Sequence, residues 1–503
     1  MLTVQTMDCT FLTGGDRQNV RLLEKDVLPS YLQNQRWYGI TSDRPPNVRI
    51  ERALSLSDLG TILILAVTSD HETRWYLLPV RAIWGEGLVP KSSVITELKK
   101  ESDRGWLVDA FGDDSFVREL IRGICTRFNA APAGRFIFNR SPFFSMSPDY
   151  PDNVQMKRPN AEQSNTSIIA GDAIIKGFRR LEPGIHPEVE VGAFLSDIVR
   201  FANVPQLLGS VEYTLPETEA PLTLCVMQRF IRNSIDGWKY FVAELGKSPE
   251  PDRPSLLLLA QKLGKRTAEL HRAFASGTEP SFAPEPVSPE WLARWSKTLA
   301  ADVDAVFKSL QRYKSPKVRQ SSEELLSRRS ELLARIAHLI PEGTTAYLTR
   351  LHGDFHLGQT LITADDVFIV DFEGEPMRPL AERRAKYLPL RDVAGMLRSF
   401  DYAFATARRK RAEQRQEALD EGFAARIKSA FGHRYHDEIA GCLSFPNDPA
   451  QTDNFLQLLL IEKSLYEIRY ELSNRPDWLQ IPIDGLISIL NERVPIFFTG
   501  GSS

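Results

Sequence analysis

The spacing of apolar and polar positions divides the chain into a strand-rich front part and a helical remainder. Residues 20–37 follow a helical pattern that ends in Gln35-Arg36-Trp37-Tyr38-Gly39. Three runs with strand character come next, at 48–52, 61–67 and 74–80, and the turn formers between them predict a small antiparallel sheet. Residues 106–124 read as an amphipathic helix broken at Gly112-Asp113-Asp114, and the Pro- and Ser-rich stretch 141–159 reads as a linker or ordered loop. Residues 167–177 read as strand, turn at Gly171-Asp172, and strand. Pro187 then opens a helix, at a position where its missing N–H costs nothing. A further strand pair surrounds 222–230. From Pro254 onward helical patterns dominate, interrupted by a hairpin of Gln359-Thr360-Leu361-Ile362 and Val367-Phe368-Ile369-Val370. The expected fold is α+β and bilobal: a β-rich small lobe, then a helical large lobe that carries one acidic hairpin.

With 503 residues the chain can build two or three folded units with sizeable cores. Its formal net charge of −3 offers no general electrostatic case for nucleic acid or an anionic membrane. The basic cluster at 408–411 runs on into Glu413 and Glu417, the pattern of a solvated helix face. No apolar stretch approaches the length needed to span a bilayer, and the first residues lack the features of a signal peptide. Cys9, Cys125, Cys225 and Cys442 are scattered without a short spacing, which suits a reducing compartment and makes the cytoplasm the expected location.

The densest chemistry lies in His352-Gly353-Asp354-Phe355-His356-Leu357-Gly358-Gln359, followed after the hairpin by Asp371-Phe372-Glu373. Phosphoryl transfer needs a carboxylate that orients the acceptor hydroxyl and takes its proton. It also needs oxygen ligands for magnesium, because negative charge spreads over the phosphoryl oxygens in the transition state. Asp354 is placed to be that catalytic carboxylate, and Gln359 and Asp371 to be the metal ligands. Gln359 stands where Asn is commoner, with a stem one methylene longer. His352 and His356 read as supports of the loop. Lys176, ending the strand 173–175, is the candidate for ATP phosphates and needs a carboxylate partner. Val191, Phe194, Leu195 and Ile198 mark the buried stripe of the next helix. Glu188 lies on that face and Glu190 is rotated away, so Glu188 is the chosen partner and Glu190 the alternative.

The run from Asp371-Phe372-Glu373-Gly374-Glu375-Pro376 through Arg378-Pro379-Leu380 and Glu382-Arg383 to 389–402 closely resembles the signature of bacterial maltokinases. These share the fold of aminoglycoside phosphotransferases and eukaryotic protein kinases. The resemblance extends to 178–184 and 263–271, and Leu28-Pro29 with 35–39 is similar to the family's N-terminal cap. It implies a cap at 1–95, an intermediate region and kinase-like N-lobe with hinge at 96–231, and a C-lobe with catalytic loop and sugar site at 232–503. ATP would lie between the lobes. Gln163, Ser164, Asn165, Thr166 and Ser167 match the phosphate-covering loop, and Gln228 and Phe230 fall at the hinge that would meet adenine. Lys463, Tyr466 and Tyr470, at i, i+3 and i+7, share one helix face. With Glu373 and Glu375 they would form a polar-aromatic, acidic site for a disaccharide.

Asp236 and Trp238 match the family's Asp-Gly-Trp, although capping and packing account for them equally well. Asp392 and Arg391 are expected to tie the large lobe together, and Arg378 is open between an ion pair and the site. The implied activity is transfer of the γ-phosphoryl group of ATP, with Mg2+, to the anomeric hydroxyl of maltose. The product would be maltose 1-phosphate for α-glucan synthesis, with trehalose synthase as a functional partner. The alternatives are a kinase of another sugar or of an amino sugar such as glucosamine, since Glu373 and Glu375 could draw an amine, and an inactive kinase-like binding module. Intact Lys176, Asp354 and Asp371 speak against the last.

Overall fold

Period-two alternation in the strand Thr61–Ser69 feeds two different cores. Leu63, Leu65 and Val67 pack with Leu23, Leu28, Tyr31 and Leu32 of the N-terminal helical segment. Ile62 and Ile64 face the other way, into a core shared with the helix Asp114–Thr126 and a second sheet. The computed structural model describes residues 3–5 and 17–491, apart from 40–43, 57–59, 70–71, 86–89, 101–102, 127–135, 145, 147–149, 153, 160–163, 216, 248–253, 314–317, 377 and 447. Cys9 and Gln163 therefore lie outside the described residues.

The chain divides into two compact units, Met1–Arg200 with Pro205–Arg232, and Phe201–Val204 with Asn233–Ser503. In the first unit, one sheet is ordered Asn47–Ser55, Thr61–Ser69, Glu72–Trp84, Asp103–Asp109, Val94–Lys100 and Thr3–Gln5, with Arg180–Leu181 also paired to Glu72–Trp84. Its neighbours are antiparallel except Thr3–Gln5 against Val94–Lys100. Residue 95, the expected end of the cap, falls inside the strand Val94–Lys100 of this sheet. The second sheet runs Phe136–Arg140, Leu207–Thr214, Pro221–Arg229, Ala173–Phe178, Asn165–Ala170 and Met156–Lys157, all antiparallel.

Two local expectations are corrected. The helix expected over 106–124 begins only at Asp114, because 103–109 pairs as a strand with both Glu72–Trp84 and Val94–Lys100. The helix expected over 20–37 is α at Arg17–Leu22, π at Leu23–Val27 and α again at Leu28–Gln33. Pro29 has no N–H to donate back into the preceding turn, and the wider π turn accommodates that loss.

Arg179 binds the parts of the first unit together. Its guanidinium donates to Asp109 Oδ2 (2.5 Å) and to Thr166 Oγ1 (2.7 Å), and it lies over the rings of Trp37 (4.6 Å) and Phe111 (4.8 Å). Tyr31 donates to the same Asp109 oxygen, so the N-terminal helices, both sheets and the 164–167 segment meet at one buried ion pair.

The second unit is helical apart from small strands. A three-stranded sheet, Ile235–Asp236, Thr360–Ile362 and Val367–Ile369, carries the expected hairpin. The helix Leu390–Glu413 passes beneath the loop that precedes this hairpin, and a Cβ on Gly395 would stand 2.5 Å from the Phe355 carbonyl oxygen. Only glycine allows that approach. Arg398 on the same helix donates twice to Glu467 (2.9 and 2.8 Å), and Tyr402 donates to Glu471 (3.0 Å). These bonds fix the helix Pro449–Asn474 against it.

Removing one partner of a buried ion pair strands the other. Arg179→Met should therefore cost about 3–5 kcal/mol in denaturant unfolding of the protein, and Asp109→Leu combined with Arg179→Met should recover much of that loss. A single variant as stable as the parent would refute the role given to this pair.

Candidate active site

The loop 352–359 of the second unit, expected to be catalytic, is shaped by one carboxylate. Asp392 is buried and accepts from the N–H groups of His352 (2.8 Å) and Gly353 (3.0 Å), with His271 Nε2 at 3.2 Å. The Tyr435 hydroxyl fixes the other side of the His271 ring at 2.9 Å. Burial pushes the Asp392 carboxyl up, but the hydrogen bond and charge of His271 and the contacts from His352 outweigh it and hold it below the ordinary range. His352 in turn receives the Asp354 N–H on Nδ1 (3.4 Å) and donates from Nε2 to the Val370 carbonyl (2.9 Å). The structural roles expected for Asp392 and His352 match these bonds.

Val370 also donates to the Gln359 carbonyl (3.0 Å), so Asp371 follows at a residue bonded to Gln359. Asp371 has φ of +70°, a left-handed conformation that Asp tolerates better than most residues. Gly353 (φ +85°) and Gly374 (φ +75°) let the two loops touch, a Cβ on the former standing 3.5 Å from the latter's Cα. Asp354, Gln359 and Asp371 are thus carried by segments joined through His352 and Val370. Gln359 and Asp371 offer hard oxygen donors. Among the described residues no three His, Cys, Asp or Glu side chains form a metal cage. An ion here would draw its other ligands from phosphate oxygens and water, which suits magnesium.

Lys463 stands 3.6 Å from Asp354 Oδ1 and 3.0 Å from Glu375 Oε1. Glu375 was expected on the substrate, and the geometry corrects this. It is 3% exposed, and Arg378 and Arg391 hold its second oxygen. Burial would raise its carboxyl, but Lys463, Arg391 and Arg378 bring it down to about 2. Burial pushes the Lys463 ammonium down, but Glu375, Asp354, Glu467 and Tyr466 together outweigh it, so it stays charged. Beyond it lies Glu462, near Arg378 (3.9 Å) and Arg391 (3.7 Å), accepting from Trp295 Nε1 and the Tyr387 hydroxyl, both at 2.8 Å. Glu462, Trp295 and Tyr387 were not anticipated, and nothing in the spacing of 295, 387 and 462 signals that they meet. Glu373 is half-buried, and its carbonyl accepts from Arg383 (3.2 Å).

The face expected on the helix Pro449–Asn474 is present. Lys463 Nζ lies 4.8 Å from the Tyr466 ring centre, and the Tyr466 and Tyr470 rings stack at 6.5 Å with 16° between planes. Tyr470 is 39% exposed, and burial pushes the Tyr466 phenol up to about 12, so it remains a neutral donor. Asp236 caps the helix Gly237–Gly246 by accepting from Lys239 N (2.8 Å), the capping role anticipated for it.

In the first unit Lys176 lies inside the strand Ala173–Phe178 rather than at its end, paired across to Ser167 and Val226, with its ammonium 5.8 Å from the Phe178 ring centre. Glu188 is 1% exposed and accepts from Gln228 Nε2 (2.9 Å), whereas Glu190 is partly exposed. Ser164 sits in a bend and Asn165, Thr166 and Ser167 open a strand, with Thr166 Oγ1 taken by Arg179. The N–H groups of Arg229 and Phe230 are committed to the carbonyls of Gln206 and Asp172, both at 2.8 Å. An adenine edge at this stretch would therefore have to use other backbone groups than those two donors.

Residues 31–113 match the maltokinase N-terminal cap domain and residues 157–427 the phosphotransferase enzyme family. A protein named glucosamine kinase from Streptacidiphilus jiangxiensis is 26% identical over 66% of this chain and 73% of its own length. One of the same name from Mycolicibacterium smegmatis is 30% identical over 67% of this chain and 80% of its own. Solved glucosamine kinase structures share the fold at 20% identity. One crystal form gives a TM-score of 0.67, and a complex with glucosamine, ADP and inorganic phosphate gives 0.64, each covering 94% of this chain and 99% of the other. The chain belongs to the phosphotransferase enzyme family, with a maltokinase-type N-terminal cap, and is an ATP-dependent carbohydrate kinase.

Proposed function

We propose that this kinase acts on maltose, giving maltose 1-phosphate for α-glucan synthesis in the cytoplasm, with trehalose synthase as a functional partner. The observation that carries the reading is the row Lys463, Tyr466 and Tyr470 leading away from Asp354, with two stacked and increasingly exposed rings. Seven residues of helix span about 10 Å, a platform longer than one sugar ring needs. Flat apolar faces with hydroxyls at their edges suit a disaccharide.

Asp354 would accept a hydrogen bond from the anomeric hydroxyl and take its proton as that oxygen attacks the γ-phosphorus. The bond from the γ-phosphorus to the bridging oxygen breaks, and ADP leaves with the electron pair. Gln359 and Asp371 would hold magnesium, which when bound offsets the charge gathering on the phosphoryl oxygens. Lys176, with buried Glu188 as its proposed partner, would steady the nucleotide's phosphates, together with Ser164, Asn165, Thr166 and Ser167. The domain division proposed is the cap up to about residue 95, the N-lobe with hinge to 231, and the C-lobe from 232. A second reading, phosphorylation of an amino sugar, is favoured by the names of the relatives.

Asp354→Asn should lower kcat by roughly 10²–10⁴-fold while ATP binding, followed by calorimetry, stays within a few-fold of the parent. Wild-type turnover in this variant would remove Asp354 from the mechanism. Tyr470→Ala should raise KM for maltose about tenfold, the size of one lost ring contact and hydrogen bond, and leave KM for ATP unchanged. Unaltered maltose kinetics would return Tyr470 to a packing role.

A further inference from the structure

The surroundings of Asp354 bear on the charge of the acceptor. An isolated carboxylate at this point would attract an ammonium group, and an amino sugar carries one on the carbon next to its anomeric centre. Here that place beside the carboxylate is taken by the protein's own ammonium, Lys463, 3.6 Å from Asp354 Oδ1. Lys463 is anchored by Glu375 at 3.0 Å, and its side chain keeps 21% of its surface exposed. An acceptor held against Asp354 would lie close to this ammonium.

Glu375 cannot turn to pair with a substrate amine. It is buried and already holds Lys463, Arg378 and Arg391. Glu462 is engaged in the same way by the two arginines, Trp295 and Tyr387. Within this cluster Asp354, Glu375 and Glu462 each lie within 4 Å of Lys463, Arg378 or Arg391, and the more exposed Glu382 also pairs with Arg378 (3.4 Å), so each of these four carboxylates already faces a cation of the protein. Outside the cluster, Glu467 is bound by Arg398. On the neighbouring loop Asp371 would hold magnesium, and half-buried Glu373 is the carboxylate to test as a rival.

We infer that Lys463 is a specificity-determining residue that selects an acceptor without positive charge beside the reacting hydroxyl. Its fixed ammonium repels a like charge there, while its three N–H donors can serve a neutral hydroxyl. This rests on the reading of Asp354 as the carboxylate that orients the acceptor. It does not depend on whether that acceptor is maltose.

The test compares glucose with glucosamine, which differ at one substituent, as substrates and as competitors of phosphorylation by the full-length protein. The parent should bind and use glucose at least about tenfold better than glucosamine at pH 6.5. Lys463→Gln should narrow that ratio about tenfold, and Lys463→Arg should preserve it. A lysine that merely supported the fold would depress both sugars together and leave the ratio unmoved. Raising the pH through the amine's titration, near 8 for a comparable amine, should narrow the parent's ratio and leave that of Lys463→Gln flat. Glu373→Gln should not change the ratio. A parent that treats the two sugars alike or prefers glucosamine, a ratio unaltered in Lys463→Gln, or a ratio governed by Glu373 would each overturn the inference. If a neutral sugar other than maltose proves to be the substrate, the maltose reading fails and the inference stands. If glucosamine is preferred, the inference fails and the carbohydrate kinase stands.

Discussion

The chemistry of the second unit hangs on the burial of one carboxylate. Asp392 could not remain ionised in a dry core without donors, and the donors it finds are the backbone N–H groups of His352 and Gly353 and the ring of His271. Satisfying Asp392 and shaping the loop that carries Asp354 are thus one event. From that loop His352 reaches Val370, Val370 reaches Gln359, and the two acidic segments close on each other through Gly353 and Gly374. Loss of the carboxylate would leave two backbone donors and one nitrogen of the His271 ring unpaired in the interior, a penalty that falls on the loop carrying Asp354.

The helix Pro449–Asn474 repeats the principle. Its middle is largely buried, yet it carries Glu462, Lys463, Glu467 and Glu471. Each finds a partner on another element: Arg391, Glu375, Arg398 and Tyr402 respectively. Such pairs add little net stability over apolar packing, but they are intolerant of misalignment. That intolerance holds Lys463 within a few ångströms of Asp354. In the first unit the pair Arg179–Asp109 plays a comparable part, joining a sheet, the N-terminal helices and the 164–167 segment.

Much of the plan was legible in the chain. Strand alternation over 61–67, the turn at Gly171-Asp172, Pro187 at a helix start and the hairpin around 363–366 follow from local rules, and all appear where those rules place them. The spacing of Asp354, Gln359 and Asp371 pointed to phosphoryl transfer because a loop and one hairpin bring such residues together over a short stretch of chain. The readings that failed were local ones overridden by neighbours. Residues 103–109 are a strand because they pair on both edges inside a sheet, and the helix at 17–33 widens at its centre ahead of Pro29.

What the sequence determined by itself was the order of the elements, the family, and the residue types able to move a phosphoryl group. The pairing of charges was decided only by the tertiary structure. Glu375 lies 88 residues from Lys463, and Trp295 lies 167 from Glu462, separations at which no periodicity operates. In the sequence Glu373 and Glu375 looked like two equivalent acids of the sugar site. The fold buries Glu375 among three cations and leaves its neighbour half-buried, because burial and the company of other charges, not residue type, decide whether a carboxylate serves the structure or a ligand.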